Sequence, residues 1–107
     1  MNRGASISFS GDSMRLEGVL DFTNVVALQE QGDAWLRERA PASCRLDLGG
    51  VVNSNSAGTT LLLGWLRSAA AAGKHLSIEH FPDSLRALMH LGGLDEVLAD
   101  NEARRSR

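Results

Sequence analysis

The residues best suited to chemistry lie in one short segment, NSNSAGTTLLLGWL at positions 53–66, where a polar turn runs into small and apolar residues. Ser56 stands where this turn meets a predicted helix. Free N–H groups and the positive end of the helix dipole would favour a phosphate on its hydroxyl. Phosphorylation would add roughly −1.5 to −2 charges to a neutral segment. Ser56 is therefore a candidate phosphoacceptor, a helix cap, or both, and Ser54 and Asn55 are alternative caps.

The helix that begins there carries a stripe of mostly small, uncharged residues along one predicted face, at Ser56, Thr60, Gly64, Arg67 and Ala71. A solvated helix face ordinarily carries Glu and Lys. The stripe suits the close approach of another protein, and close packing within the same domain explains it equally well. The predicted partner-binding residues are Asn55, Ser56, Thr59, Thr60, Leu63, Gly64 and Arg67.

The three histidines and the single cysteine do not have the spacing of a metal site. His75 and His80 are an odd number of residues apart on a predicted strand, so they are expected to point to opposite faces. His90 has no His or Cys at i+3 or i+4, and Cys44 has no CxxC partner. We therefore expect no bound metal.

Motifs for catalysis are also missing from the sequence. Ser56 lies in NSAG rather than in a GxSxG elbow, and no GxxxxGK[ST] loop is present to hold nucleotide phosphates. Asp21, Asp47 and Asp95 show no pairing that indicates acid–base work. The sequence predicts a protein that is not an enzyme and that needs no cofactor.

The elements that must position Ser56 alternate between strands and helices. Strands at 5–9 and 14–20 form a hairpin through Gly11–Asp12, and a helix at 24–39 follows with Thr23 as its N-cap. The later predicted elements are a strand at 44–48 ended by Gly49–Gly50, a helix at 56–72 closed by Gly73, a strand at 75–81, a helix at 83–91 and a last turn in LDEVLAD. This order predicts an α/β fold whose sheet has parallel neighbours and helical cover.

Length and charge limit the function further. The chain has 107 residues and a formal net charge of −2, which predicts one domain at 1–100, followed by a flexible C-terminal tail at 101–107. No basic stripe with aromatics indicates nucleic-acid binding. The opening MNRGASISFSGD has no apolar region typical of a secretory signal, and the apolar run 61–66 is too short to cross a bilayer. We expect a cytoplasmic protein.

Three segments of the chain resemble the STAS domain, the fold of sulfate transporters and anti-sigma factor antagonists: LEGVLDFTN at 16–24, LDLGGVVNSNSAGTTLLL at 46–63 and AAGKHLSIEHFPDSLRALMHLGGLDEVL at 71–98. The resemblance implies a four-stranded mixed β-sheet covered on one side by three to four α-helices. In this family a motif of Asp, a hydroxyl residue, a small residue and Gly begins the second helix. This chain has Asn55, Ser56, Ala57 and Gly58 there.

Two branches of the family imply different partners. In anti-sigma factor antagonists an anti-sigma factor kinase phosphorylates the hydroxyl residue, which would make Ser56 the phosphoacceptor, but Asn55 replaces the usual Asp. The small STAS subunit of the bacterial Mla phospholipid transporter also has a hydroxyl residue there, does not depend on phosphorylation, and has an opening similar to SFSGDSMRLEGVLD. That subunit binds the ABC-transporter ATPase from the cytoplasm, peripheral to the inner membrane, and supports the transport that maintains outer-membrane lipid asymmetry. We take this second branch as the first hypothesis.

Overall fold

The computed structural model describes residues 4–105, which form four strands and four helices. In chain order these are β1 (Ala5–Ser10), β2 (Ser13–Leu20), α1 (Val25–Glu38), β3 (Ser43–Ser54), α2 (Ser56–Ala71), β4 (His75–Glu79), α3 (Asp83–Leu91) and α4 (Asp95–Arg105). The sheet order is β1-β2-β3-β4. β1 and β2 are antiparallel, whereas β2–β3 and β3–β4 are parallel. The predicted four-stranded mixed sheet is confirmed.

One face of the sheet is buried and the other is open. Leu46 and Leu48 on β3 are buried, whereas Arg45 before them is exposed and Asp47 between them is half-buried, because side chains along a strand alternate between its two faces. β2 and β4 follow the same alternation. The hydrophobic core therefore lies between the inner face and the helices. We refer to the other side, which carries Arg15, Glu17, Arg45, Asp47 and Glu79, as the open face.

α1 and α2 cross at close range on the covered side. Trp65 of α2 is buried, and its Nε1–H donates to the main-chain oxygen of Gln29 at 3.2 Å. A Cβ atom at Gly32 would overlap the same indole ring, and one at Gly64 would lie 2.6 Å from Gln29 Nε2. The two glycines thus allow the helix axes to approach, and this contact fixes the position of α2 on the sheet.

The structure changes two of the predicted boundaries near α2 and α1. β3 continues through Gly49–Gly50 to Ser54 because its backbone pairs with β2 along this whole length, with two register shifts. Thr23 does not cap α1, since the helix begins after Asn24 and the Thr23 N–H and hydroxyl donate to Asp21 Oδ1. The predicted end of α2 is confirmed, because Gly73 has a φ of +71°.

The C-terminal segment departs furthest from the prediction. α4 extends to Arg105, through residues 101–105 of the predicted tail, and Asn101 within it is only 2% exposed. The Asn101 side chain accepts the Ile78 N–H at 2.7 Å and donates to the Ile78 oxygen at 3.1 Å. A single polar contact of this kind leaves no trace in apolar periodicity. Residues 106–107 of the predicted tail lie outside the described residues.

The helices are short, and α2 is 16 residues long. Between residues 4 and 105, no helix combines the length and the apolar character that a membrane span requires.

We expect Gly32→Ala to lower the free energy of unfolding by about 1–3 kcal/mol, because the new methyl group overpacks the contact with Trp65. Intrinsic helix propensity acts in the opposite direction, since Ala is favoured over Gly by about 1 kcal/mol. Urea denaturation of both proteins measures the difference. Gly92→Ala is the matched control, because its φ is −83° and its Cβ would meet neighbours at 3.5 Å or more. Equal stability of the two variants would contradict the close-contact role of Gly32.

Candidate functional site

The candidate site lies where the parallel strands end and α2 begins. The Asn55 N–H donates to the Leu20 oxygen at 3.2 Å, so the end of β3 is held beside the end of β2. Two loops therefore lie side by side, one between β2 and α1 and one between β3 and α2. The N-terminus of α2 emerges between them, at the carboxyl edge of the sheet where parallel α/β folds commonly bind ligands and partners.

Asn55, rather than Ser56, caps α2. Its Oδ1 accepts the Ala57 N–H at 2.8 Å, and Ser56 is the first residue inside the helix, with an exposed side chain. The hypothesis that Ser56 itself caps the helix is therefore wrong, and the alternative at Asn55 is correct. Ser54 supports the turn, since its hydroxyl donates to the Asn55 oxygen at 2.8 Å. A Cβ at Gly58 would overlap that hydroxyl, so the turn requires glycine there.

The structure divides the predicted stripe into exposed and enclosed residues. Asn55, Ser56, Thr60 and Arg67 are exposed, and Leu63 is half-buried. Gly64 is buried against Gln29 of α1, so it cannot form part of an exposed surface. Thr59 is half-buried and its hydroxyl oxygen is enclosed, without a hydrogen-bond partner in the described part of the chain. Close packing within the domain thus explains Gly64, whereas contact with another protein stays a prediction for the exposed residues of the stripe.

Apolar side chains extend this surface beyond α2. Phe22 is 69% exposed, Val26 is 68% exposed and Val52 is 80% exposed. Phe22 and Val52 lie in or beside the two adjoining loops, and Val26 is in the first turn of α1. No charged residue occurs from 22 to 29 or from 48 to 66. We call this the uncharged end surface, defined by Phe22, Val26, Val52, Asn55, Ser56 and Thr60.

Sequence reasoning did not identify the three apolar members of the uncharged end surface. Val52 lies beyond the predicted strand at 44–48, Phe22 lies between the predicted strand at 14–20 and the helix at 24–39, and Val26 lies inside that helix. Their positions in the sequence could have indicated that they are exposed, because none of the three falls on the periodic pattern of apolar residues that form the core. An apolar residue off the core pattern, beside a small-residue turn, indicates an exposed contact residue.

Asp47 ties three parts of the open face together near this end of the sheet. Its Oδ1 accepts the Gly49 N–H at 2.8 Å and lies 2.8 Å from His80 Nδ1, and its Oδ2 accepts from Arg15 Nη1 at 2.6 Å. β2, β3 and the segment after β4 are thereby linked. Burial raises the pKa of Asp47, but the hydrogen bonds from Gly49, His80 and Arg15 outweigh it and hold the pKa below its ordinary value.

His80 does not occupy the position that the sequence indicated. β4 ends at Glu79, and His80 has a φ of +56°, which turns its ring toward Asp47 on the open face. His75 lies on the same face, so the prediction that the two point to opposite faces is wrong. Within residues 4–105, no cluster of three His, Cys, Asp or Glu side chains comes together.

The other two aspartates singled out in the sequence also have local partners. Asp21 accepts from Thr23, chiefly through the hydroxyl, and this lowers the pKa of Asp21. Asp95 lies 2.7 Å from His90 Nδ1, and this hydrogen bond raises the pKa of His90. Both pairs are exposed and fasten turns at the ends of helices. The geometry offers a preformed surface for binding.

Comparison with known proteins is consistent with this geometry. A family model described as "Mlab, STAS domain" matches residues 4–99. No curated protein matches the chain. The solved structure of the anti-sigma factor antagonist SpoIIAA in its unphosphorylated form is 18% identical, covers 84% of this chain and 81% of its own, and superposes with a TM-score of 0.67.

Two further solved structures have the same fold. An anti-sigma factor antagonist from Mycobacterium paratuberculosis is 19% identical, covers 87% of this chain and 80% of its own, and has a TM-score of 0.64. The Bacillus cell fate determinant SpoIIAA in its phosphorylated form is 16% identical, covers 86% of each chain, and has a TM-score of 0.63. At these identities the likeness establishes the fold.

We expect Asp47→Asn to lower the free energy of unfolding at pH 7 by about 1–2 kcal/mol, because the ion pair with Arg15 is lost. A carboxyl group with a lowered folded-state pKa stabilises the fold above its unfolded pKa of about 3.9 and loses this effect as the pH falls further. The difference between wild type and Asp47→Asn should therefore narrow below about pH 4. Urea denaturation across a pH series measures it, with exposed Asp100→Asn as control. A constant difference would contradict the assigned role.

We expect Asn55→Ala to reduce the free energy of unfolding by about 1 kcal/mol, because the Ala57 N–H loses its acceptor. Ser56→Ala is the matched control one residue later, and it should change stability by less than about 0.5 kcal/mol, since Ser56 does not cap. Thermal and urea denaturation give both values. A larger loss of stability in Ser56→Ala than in Asn55→Ala would show that Ser56, and not Asn55, caps α2.

Proposed function

The chain belongs to the family of MlaB-type STAS domains, and from this premise we propose that it is a non-catalytic accessory subunit of an Mla-type ABC transporter. It binds the transporter's ATPase subunit and supports ATP hydrolysis, while the assembled transporter moves phospholipid to maintain outer-membrane lipid asymmetry. In this proposal the subunit lies in the cytoplasm and reaches the inner membrane only through the ATPase.

The observation that carries the proposal is the uncharged end surface. Three large apolar side chains are each more than two-thirds exposed: Phe22 before α1, Val26 in the first turn of α1 and Val52 near the end of β3. The centres of protein–protein interfaces are depleted of charged residues and rich in apolar contact, and contiguous apolar patches on a small domain commonly mark such interfaces. Thr60 is the member of this surface furthest along α2, and Arg67 is an exposed charged residue beyond it.

The frame beneath this surface supports the same proposal. Asn55 fixes the first turn of α2, Trp65 fixes its position against α1, and Asp47 holds the segment after β4. A surface that is ordered before binding loses little conformational entropy when a partner docks. The expected partner contact is thus a rigid-body contact with a complementary neutral, largely apolar patch on the ATPase.

A second function, that of an anti-sigma factor antagonist controlled by a kinase, is favoured by one observation. Ser56 is exposed at the helix N-terminus, and because Asn55 supplies the cap, a modified Ser56 would not disturb the start of the helix. The residue before Ser56 argues against it, since the resemblance to antagonists implies a carboxylate there and the chain has Asn55. We therefore rank this function second.

Affinity capture of the tagged protein from its native host, with the captured proteins identified by mass spectrometry, separates the two functions. Recovery of an ABC-transporter ATPase, together with higher ATPase activity when the purified chain is added, would support the first. Recovery of an anti-sigma factor kinase, with a phosphate found on Ser56 by intact mass, would replace it with the second. Recovery of neither would remove the basis for both.

We expect Ser56→Asp to weaken binding of the captured partner at least tenfold, because the substitution places a negative charge within a neutral contact that is desolvated on binding. Stability should not fall, since Asp near a helix N-terminus interacts favourably with the dipole by about 0.3–1 kcal/mol. Binding is measured by calorimetry and stability by urea denaturation, so unfolding and loss of contact are distinguished.

Ser8→Asp is the matched control for this charge. Ser8 is exposed on the open face of β1, opposite Arg15 of β2 and away from the helices, so the same added charge should leave partner binding unchanged. Equal loss of binding in both variants would show that net charge, rather than the uncharged end surface, governs the interaction. Unchanged binding in Ser56→Asp would exclude Ser56 from the contact.

A further inference from the structure

An open cleft of about 460 Å³ lies at the far end of α2, where the last turns of this helix meet the start of β4 and the first turns of α4. Arg67, which lines the cleft, is about 16 Å along the helix axis from Ser56, at 1.5 Å per residue. Small-molecule sites commonly have volumes of about 300–1,000 Å³. The cleft is therefore a candidate ligand site that is separate from the uncharged end surface.

The lining of the cleft is mostly apolar. Leu63 and Leu66 of α2, Leu76 of β4 and Val97 of α4 contribute to it. Leu76 is buried, whereas the other three side chains are only half-buried and remain partly in contact with water. An alkyl chain placed against them would remove apolar surface from water on both molecules, which is favourable.

Hydrogen bonds hold the walls of the cleft in place. Asn101 Oδ1 accepts the Ile78 N–H at 2.7 Å and Asn101 Nδ2 donates to the Ile78 oxygen at 3.1 Å, which holds α4 against β4. The Lys74 N–H donates to the Ala69 oxygen at 2.8 Å, which holds the start of β4 against the end of α2. A preformed site of this kind loses little conformational entropy when a ligand binds.

Positive charge predominates around the cleft. Arg67, Lys74 and His75 line it, together with one carboxylate, Asp100. The Lys74 ammonium is already engaged, since it donates to the Leu36 oxygen at 2.5 Å. Arg67 is exposed, and no ion pair in the described part of the chain includes it. Its planar guanidinium group suits a carboxylate or a phosphate, which it can bind through two parallel N–H donors.

We propose that this cleft binds a single-chain anionic amphiphile, with the alkyl chain against Leu63, Leu66 and Val97 and a carboxylate or phosphate head group on Arg67. A water molecule occupies about 30 Å³ of liquid, so the cleft has room for about fifteen atoms of that size. Decyl phosphate is a molecule of this size and combines both features. Asp100 opposes such a ligand, so removal of its charge should strengthen binding.

Calorimetric titration with decyl phosphate, below its critical micelle concentration, tests the charge. Arg67→Gln should weaken binding at least tenfold, whereas Asp100→Asn should strengthen it at least twofold. Arg37→Gln is the matched control, because it removes the same charge from an exposed position on α1 outside the cleft, and it should bind as the wild type. Unchanged binding in Arg67→Gln would overturn the proposal.

Two further series of ligands test the chain and the head group. From hexyl to decyl phosphate, each added methylene should increase affinity by up to about fourfold, and decyltrimethylammonium should bind at least tenfold more weakly than decyl phosphate. Affinity that ignores chain length or the sign of the head group would contradict the assigned site. Decanoate distinguishes the sources of the ligand: affinity similar to that of decyl phosphate supports a fatty acid, and a tenfold preference for the phosphate supports a lysophospholipid.

Amide chemical shifts locate the ligand on the unaltered protein. The largest changes on addition of decyl phosphate should occur at Leu66, Leu76 and Val97. Changes confined to the uncharged end surface would place the amphiphile on the wrong end of α2 and overturn the proposal. Ser56→Asp, which should weaken partner binding, should leave decyl phosphate binding unchanged, so failure of this site and failure of the proposed function are distinguishable.

Discussion

The contact between the Trp65 indole and α1 is the interaction on which the rest of the structure depends. Gly32 leaves room for the ring, and the ring nitrogen donates to the Gln29 oxygen, so packing and hydrogen bonding specify the same position. A helix fixed in this way presents one face to the core and one to solvent. The direction of α2 therefore determines where its N-terminus meets the two loops, and with it the location of the uncharged end surface.

Charge distinguishes the open face from the uncharged end surface. The open face carries ionised groups that are paired with one another, as Arg45 is with Asp12 and Glu79, and Arg15 with Asp47. Groups that already have partners offer little to an incoming protein, because a new contact would have to replace an existing one. The uncharged end surface has no ion pairs that a partner would have to replace, which favours it as the place where a partner docks.

Much of the fold followed from periodicity, and the exceptions share a physical cause. Alternating and helical apolar patterns located the four described strands and the first three helices, and Gly73 marked the end of α2, whereas α4 was reduced to a last turn. What periodicity could not reveal were contacts made by one side chain over a long separation. Gly64 faces α1 because of Gln29, and Asn101 is buried because of Ile78. His80 faces Asp47 because β4 ends at Glu79, two residues before the predicted end, and the backbone turns to positive φ at His80.

The start of α2 shows the same limit of sequence-based prediction among residues that are neighbours in the chain. The sequence located the turn that begins α2 and the hydroxyl at Ser56, yet three neighbouring residues could each have capped the helix, and only the backbone angles at Asn55 decide among them. The outcome alters the chemistry available there. A serine that caps has its hydroxyl engaged with the helix, whereas the exposed Ser56 lies in the first turn of α2 and does not cap it. An asparagine cap thus separates the stability of α2 from whatever contacts Ser56 makes.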